Sequence, residues 1–434
     1  MRAAGHDVAI VDLAHERLSP EVFNDARLVA IHLAMHTATR IAAEALPRIR
    51  GYAPDALIAT YGLYAPFNAS WLHEQGVTAC FGGEFEPALE ALIKRMEDGE
   101  DIDPFTDLSV GRTEFVVPDR TGMPPLAEHA RLRLKDGQEI TMAFTDATRG
   151  CKHLCRHCPV VPVYQGRFRI VPVDVVLADI RQQVAAGAEH VSFGDPDFLN
   201  GPTHALRVAR AMHAEFPGLT FDAVIKVEHL LKLPEQLAEL KQCGLRLIIS
   251  AVESVDDEVL EKLDKRHTRA DFIAAVGLTR QLDIELAPTF LAFTPWTTLE
   301  GYRELLSTLV ELDLYAQVPP IQLAIRLLIP AASKLLELPD VQALVGPFDS
   351  RSIGHAWVHP DARVDALQQR IEAIAATAET RAREEVFAEM WQATHEALEL
   401  DALTLKPSLR GLPPHHTENW YCCAEPTSEQ LIAF

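Results

Sequence analysis

Thr148-Arg149-Gly150-Cys151-Lys152-His153-Leu154-Cys155-Arg156-His157-Cys158-Pro159 is the stretch on which the fold turns. Its three cysteines, spaced by three and then two residues, follow an apolar run at 142–145 that reads as a strand. A loop this short curls until three thiolates face one centre. Three thiolates satisfy three irons of a cubane and leave the fourth open, whereas most [4Fe–4S] clusters are closed by four cysteines. An open iron binds and activates a small ligand. Lys152, Arg156 and His157 bring positive charge to an anionic group. Two other readings stay open here. His153 or His157 would complete a Cys3His zinc site. A redox dithiol of Cys155 and Cys158 would leave Cys151 unexplained.

Downstream of this loop, apolar runs at 190–193, 219–224, 245–250, 284–290 and 321–328 alternate with helical patterns such as 173–186 and 205–215. Repeated strand–helix units predict a partial (β/α) barrel over 141–340. Upstream, runs at 8–11, 28–31, 56–59 and 77–81 alternate with helical patterns at 41–49 and 87–96. This predicts an α/β domain over 1–100 built on a doubly wound parallel sheet. Its ligand-facing segments, at the carboxyl ends of strands, are 35–40, 62–68 and 82–84. Residues 101–140 hold Pro104, Pro118, Pro124 and Pro125 and read as a linker with a short hairpin at Asp136-Gly137. The remainder, 341–434, reads as a helical extension, with one long charged helix over 364–400, and a loop-like tail from Lys406.

The 434 residues are 48% hydrophobic, enough to bury large cores, and carry a net charge of −22. Such an acidic chain repels phosphate backbones and anionic lipid, so neither a nucleic-acid nor a membrane partner is expected. No apolar run reaches the ~18 residues that cross a bilayer, and a cytoplasmic location is expected. Seven cysteines, an odd number in a large chain, favour metal or thiol chemistry over a disulfide framework. Cys80, in an apolar run, and Cys243, before Gly244, read as core residues.

The cysteine spacing and its place after a first barrel strand resemble the signature of radical S-adenosylmethionine (SAM) enzymes. The resemblance implies a [4Fe–4S] cluster on Cys151, Cys155 and Cys158 whose open iron chelates SAM. It also implies cleavage to a 5′-deoxyadenosyl radical that abstracts hydrogen from a substrate. His157 departs from the aromatic residue usual before the third cysteine. Gly194-Asp195-Pro196-Asp197 resembles the family turn after the second strand, which makes Gly194, Asp195 and Asp197 candidates for the cofactor's amino group. Glu253 and Ser254, after the fourth strand, resemble the ribose and carboxylate contact; a helix N-cap by Ser254 is the alternative. Lys226, Glu228 and His229 follow the third strand. Arg326, inside the apolar run at 321–328, is expected to hold a carboxylate of cofactor or substrate, or else to form a salt bridge within the barrel.

The order of an α/β sheet before such a barrel resembles the cobalamin-binding radical SAM enzymes, which implies cobalamin between the domains. The Asp-x-His-x-x-Gly motif is absent, and against that resemblance Ala9-Ile10-Val11-Asp12 matches the second strand, which implies that the first strand is missing. His36, Thr37 and Thr39 are the candidate contacts, and capping of the following helix is the other reading of the threonines. Near the C-terminus, Asn419-Trp420-Tyr421-Cys422-Cys423-Ala424-Glu425-Pro426 resembles the CUAEP/CCAEP-tail radical SAM proteins, in which selenocysteine or cysteine stands where Cys423 does. Arg167-Phe168-Arg169, Thr294-Pro295-Trp296-Thr297 and Ile325-Arg326-Leu327-Leu328-Ile329-Pro330 extend that likeness. It implies that Cys423 is a nucleophile, radical quencher or redox partner with Cys422 as resolving thiol; two unrelated thiols are the alternative. The expected function is radical SAM chemistry on a small-molecule or peptide substrate, by cobalamin-dependent methyl transfer or a sulfur- or selenium-involving modification. The expected reductant is a donor such as flavodoxin or ferredoxin. The competing reading is a non-catalytic iron–sulfur or zinc sensor with a reactive dithiol.

Overall fold

Two parallel sheets follow one another along the chain in a computed structural model that describes residues 1–402 and 404–417. The first holds β1 (Leu28–His32), β2 (Leu57–Tyr61), β3 (Ala79–Gly83) and β4 (Phe105–Ser109), all parallel and in that spatial order. Side chains alternate along each strand. Ile58 and Cys80 therefore meet Leu46 and Leu72 from the helices His36–Tyr52 and Ala69–Glu74. Ala59, Ala79 and Phe81 meet Leu89 and Leu92 from the helix Glu86–Glu97 on the other face. The sheet thus carries helices on both sides, and β4 takes it past residue 100 into the stretch read as linker.

The second sheet collects β5 (Arg131–Arg133), β6 (Glu139–Thr145), β9 (His190–Phe193), β10 (Thr220–Val224), β11 (Leu245–Glu253), β12 (Glu285–Phe290) and β15 (His415–His416). Their spatial order is β12-β11-β10-β9-β6-β5-β15, with β6 and β9 to β12 parallel. β5 and β6 form the hairpin at Asp136-Gly137, and Gly137 turns it with φ +86°. Between β6 and β9 stands a small separate ribbon, β7 (Thr148–Gly150) and β8 (Phe168–Ile170); β13 (Val345–Asp349) and β14 (Gly354–Trp357) form another. Val191, Phe193, Phe221 and Ala223 are buried in the main core against the flanking helices. His190, Ser192 and Asp222, one residue out of phase, occupy the opposite face of the curved sheet.

Three expectations fail. Residues 8–11 are not a strand. The Asp12 carbonyl turns the chain directly after the run by accepting the amides of His15 and Glu16. Residues 321–328 are not a sixth strand. Pro319 and Pro320 lack amide protons, so the chain enters a 3₁₀ turn at Pro320–Leu323. Arg326 then makes a single isolated bridge to Phe293. The long helix at 364–400 is two helices, Ala362–Ala375 and Arg383–Ala397, packed on each other. Among the described residues, no helix is long and apolar enough to cross a membrane.

Candidate active site

The loop that carries the three cysteines leaves β7 and returns through β8, so an antiparallel ribbon ties its neck: Thr148 opposes Ile170 and Gly150 opposes Phe168. Gly150 has φ +79°, and a Cβ there would stand 2.4 Å from a ring carbon of Tyr164 and 2.7 Å from the Arg167 carbonyl oxygen. Only glycine closes this neck. Asn200 fastens the loop from the barrel side. Its Nδ2 donates to the Gly150 carbonyl at 3.2 Å, and its Oδ1 accepts the Lys152 amide at 3.2 Å and the Cys151 thiol at 3.6 Å. On the far side Arg156 donates to the carbonyls of Glu261 and Lys262 at the end of the helix Asp257–Lys262, and its own amide reaches Leu263.

The thiols are enclosed. Cys151 and Cys155 are 8% and 6% exposed, and burial pushes the Cys151 thiol up to about 11. Burial, reinforced by the neighbouring Cys155 and Cys151, pushes Cys158 to about 12. Thiolates in such surroundings need a cation to exist. Lys226 Nζ lies 3.7 Å from Cys155 Sγ, and the buried Lys265 acts on both Cys155 and Cys158. Three thiols with two enclosed ammonium groups fit a bound anionic metal–sulfide group. The single-zinc reading fits less well. Sulfurs on one tetrahedral zinc lie roughly 3.8 Å apart. The described triads of donor atoms lying within 4.8 Å of one another do not include the three cysteines.

Glu253 sits after a break in the β11–β12 register and has φ +69°, a conformation costly for a residue with a Cβ. Burial pushes its carboxyl up, but Lys265 and His157 outweigh this and hold it at about 2. It therefore links the cysteine loop, through His157, to Lys265. Lys265 and Asn200 had no signal in the sequence, because each reaches the site only through the closure of a loop distant in the chain. Ser254 does not cap the next helix; its Oγ accepts the Asp256 amide, and Asp256 is the cap.

Asp195 is spent on the strand end, accepting the Ala147 amide at 2.8 Å and the Thr148 hydroxyl at 2.5 Å. Gly194 is a close approach: a Cβ there would meet the Phe144 ring at 2.2 Å and Asp146 Oδ1 at 2.5 Å. Asp197 is fully buried beside His153 and His229. Arg326 takes the salt-bridge reading: it donates to Asp365 Oδ1 at 2.6 Å and to the Trp357 carbonyl, and its guanidinium lies 3.6 Å from the centre of the Trp357 ring.

The carboxyl edge of the first sheet packs directly on the cysteine loop. Leu63, Phe67 and Val110 contact the cluster formed by Cys151, Val160, Val163 and Tyr164. Arg149 reaches Glu86 at 2.6 Å and Glu84 at 3.4 Å, and Tyr164 donates to Glu84 at 3.1 Å. His36 and Thr37 are buried in the first turn of the helix His36–Tyr52, and Thr39 donates to the Met35 carbonyl, so Thr39 is not the cap. Asn68 is 2% exposed and its Oδ1 has no hydrogen-bond partner, a buried acceptor that a ligand would satisfy. Cys422 and Cys423 lie outside the described residues.

Residues 146–306 match the Radical SAM superfamily. These residues form a radical SAM domain, which implies a [4Fe–4S] cluster and SAM and indicates an enzyme. The chain is 24% identical, over 41% of its length, to the threonylcarbamoyladenosine tRNA methylthiotransferase MtaB of Rickettsia prowazekii (strain Madrid E), of which it covers 45%. It is 23% identical, over 68% of its length, to the hopanoid C-3 methylase of Methylococcus capsulatus (strain ATCC 33009 / NCIMB 11132 / Bath), of which it covers 59%. The chain thus spans about half the length of these curated relatives. Among solved structures, the cobalamin-dependent SAM radical enzyme OxsB with aqua-cobalamin bound superposes with a TM-score of 0.60 at 13% identity, covering 85% of this chain and 63% of that one. The radical SAM methyltransferase TsrM from Kitasatospora setae gives 0.59 at 15% identity, covering 87% and 86%. These likenesses establish the fold, a parallel sheet followed by a curled half-barrel. They lend no support to a non-catalytic sensor.

Proposed function

We propose that this radical SAM enzyme cleaves SAM reductively at a [4Fe–4S] cluster on Cys151, Cys155 and Cys158 and attaches a methyl or sulfur-containing group to a small-molecule or peptide substrate. The observation that carries the reading is the enclosed three-cysteine loop over the carboxyl ends of β6, β9, β10 and β11, flanked by two buried lysines. When bound and reduced, the cluster supplies the single electron that splits SAM into methionine and a 5′-deoxyadenosyl radical. The protein's own part is positional. Lys226 and Lys265 offset the thiolate charge, Glu253 fixes His157, and Leu63, Phe67 and Tyr164 exclude water from Cys151. The electron donor is a reduced protein such as flavodoxin or ferredoxin.

Methyl and methylthio transfer are favoured by the names of the relatives and neighbours. Cobalamin is the proposed methyl carrier, supported by the solved neighbour that holds it and by the unpartnered Asn68 Oδ1 at the sheet edge. His36, Thr37 and the loop at 62–68 would meet it. A corrin absorption spectrum in protein purified from cobalamin-fed cells tests this. The tail reading rests on sequence alone: Cys423→Ser is expected to abolish product while leaving iron content and SAM cleavage intact, and full product formation refutes it.

The first test is anaerobic reconstitution with iron and sulfide, reduction with dithionite, and measurement of 5′-deoxyadenosine from added SAM. Formation that vanishes in Cys155→Ala supports the reading. Zinc in place of iron, or no 5′-deoxyadenosine from protein holding about four irons, overturns it.

A further inference from the structure

Beside the cysteine loop, three buried side chains from three different strand ends converge on a point that none of them satisfies. His153 comes from the loop between Cys151 and Cys155, Asp197 from the segment after β9, and His229 from the short helix Val227–Lys232 after β10. Their exposed fractions are 10%, 0% and 6%. His229 Nδ1 stands 2.6 Å from Asp197 Oδ2, and His153 Nε2 stands 3.3 Å from the same oxygen. Yet His153 Nε2, Asp197 Oδ2 and His229 Nδ1 all lack a hydrogen-bond partner. Both imidazoles stand at ion-pair distance from one carboxylate oxygen without completing a well-formed hydrogen bond to it. Two imidazoles and a carboxylate gathered this closely can share one cation.

We infer that His153, Asp197 and His229 form a binding site for one divalent transition-metal cation, separate from the three cysteines. The three donor atoms lie within 4.8 Å of one another. Ligands on a tetrahedral zinc at about 2.05 Å stand roughly 3.3 Å apart, as His153 and Asp197 already do. The His229–Asp197 gap has to open by about 0.7 Å, within the play of two side-chain torsions. Two imidazoles and a carboxylate suit zinc or iron(II) and exclude calcium and magnesium, which take oxygen ligands.

The next shell fits a metal as well. Glu228 Oε2 lies 3.7 Å from His153 Nδ1, on the ring nitrogen turned away from Asp197, and 3.8 Å from Lys226 Nζ. Drawn in to hydrogen-bond distance, a carboxylate in this position fixes the tautomer that leaves the other nitrogen free to bind. The second oxygen of Asp197 accepts the Leu199 amide at 3.3 Å, which orients the carboxylate. Three protein ligands leave one position open, the pattern of sites that bind a water or an anionic ligand rather than serve as struts. The inference assigns Asp197 to a metal instead of to the amino group of SAM. It rests on no reading of the radical chemistry.

The test equilibrates reconstituted enzyme with Zn(II), removes free metal, and measures zinc, iron and sulfide per chain in wild type, His229→Gln and Asp197→Asn. Neither substitution lies on the cysteine loop. The expected result is one zinc beyond the full iron complement in wild type, with affinity at least tenfold weaker in each variant and iron unchanged. Zinc that enters only as iron leaves, equal zinc in wild type and variants, or no zinc at all overturns the site. Should the variants lose their fold, zinc-edge X-ray absorption on wild type decides: nitrogen and oxygen neighbours at about 2.0 Å support the site, and sulfur at about 2.3 Å refutes it.

Discussion

Replacing Gly150 by alanine should loosen the neck of the cysteine loop, and a second glycine provides the control. Both Gly150 and Gly166 have left-handed backbones, with φ of +79° and +80°. An alanine at either position incurs about 1–2 kcal/mol for that conformation. The positions differ in space. At Gly166 the nearest atom to a new Cβ is the end of the Leu154 side chain, at 3.3 Å. At Gly150 the new atom meets the Tyr164 ring at 2.4 Å and the Arg167 carbonyl oxygen at 2.7 Å. Tyr164 is 4% exposed and bonded to Glu84, so its ring has nowhere to go. Overpacking of this kind adds about 1–3 kcal/mol. Gly150→Ala should therefore cost about 2–5 kcal/mol and Gly166→Ala about 1–2 kcal/mol. Urea unfolding of the apoprotein measures the difference, and iron per chain after reconstitution measures its effect on the cluster. Equal unfolding midpoints for the two variants would refute the argument, because the steric term would then be absent.

Asp222 is 1% exposed and accepts from Ser192 at 2.8 Å, His190 at 2.9 Å and His416 at 2.8 Å. Burial pushes its carboxyl up, but His416 and His190 outweigh this and hold it well below the usual range. A depressed carboxyl stabilises the fold above its unfolded value of about 3.9 and loses that contribution as pH falls through its folded value. Asp222→Asn should thus lower the urea midpoint at pH 7, by about 3–5 kcal/mol in free energy, with the gap to wild type narrowing below about pH 4. A gap independent of pH counts against the ion pairs. Arg149→Gln should leave the 2%-exposed Glu84 carboxylate without its cation and open the contact between the two sheets. Faster protease cleavage within 110–125, with unchanged iron content, is the expected result; an unchanged digestion pattern would show that the apolar contacts alone hold the sheets together.

Much of the barrel was legible because its signals are local. The runs at 190–193, 219–224, 245–250 and 284–290 are apolar, short and followed by helices of strong periodicity, and each became a strand. The run at 321–328 carries the same apolarity but begins after two prolines, and the missing amide protons decided against it. The cysteines were legible because their spacing alone brings them together. Lys265 and Asn200 were not, since each approaches the loop only after the chain folds back, Asn200 across 50 residues to Gly150 and Lys265 from beyond β11 onto Cys155 and Cys158. Asp195 and Asp197 share a turn and differ in fate for a reason that spacing cannot express. One points into the backbone of the neighbouring strand and the other toward two imidazoles.

The strand β15 bears on the order in which the molecule is completed. His415 and His416 pair with Arg133 and Leu132, nearly three hundred residues earlier, and His416 satisfies Asp222 across the inner face of the sheet. At a synthesis rate of about 5–20 residues per second, Asp222 leaves the ribosome some 10–40 seconds before its partner. During that interval the parallel strands can form, but a buried carboxylate and one sheet edge stay uncovered. The edge beside β5 is thus covered, and Asp222 satisfied, only after the cysteine loop has been synthesised.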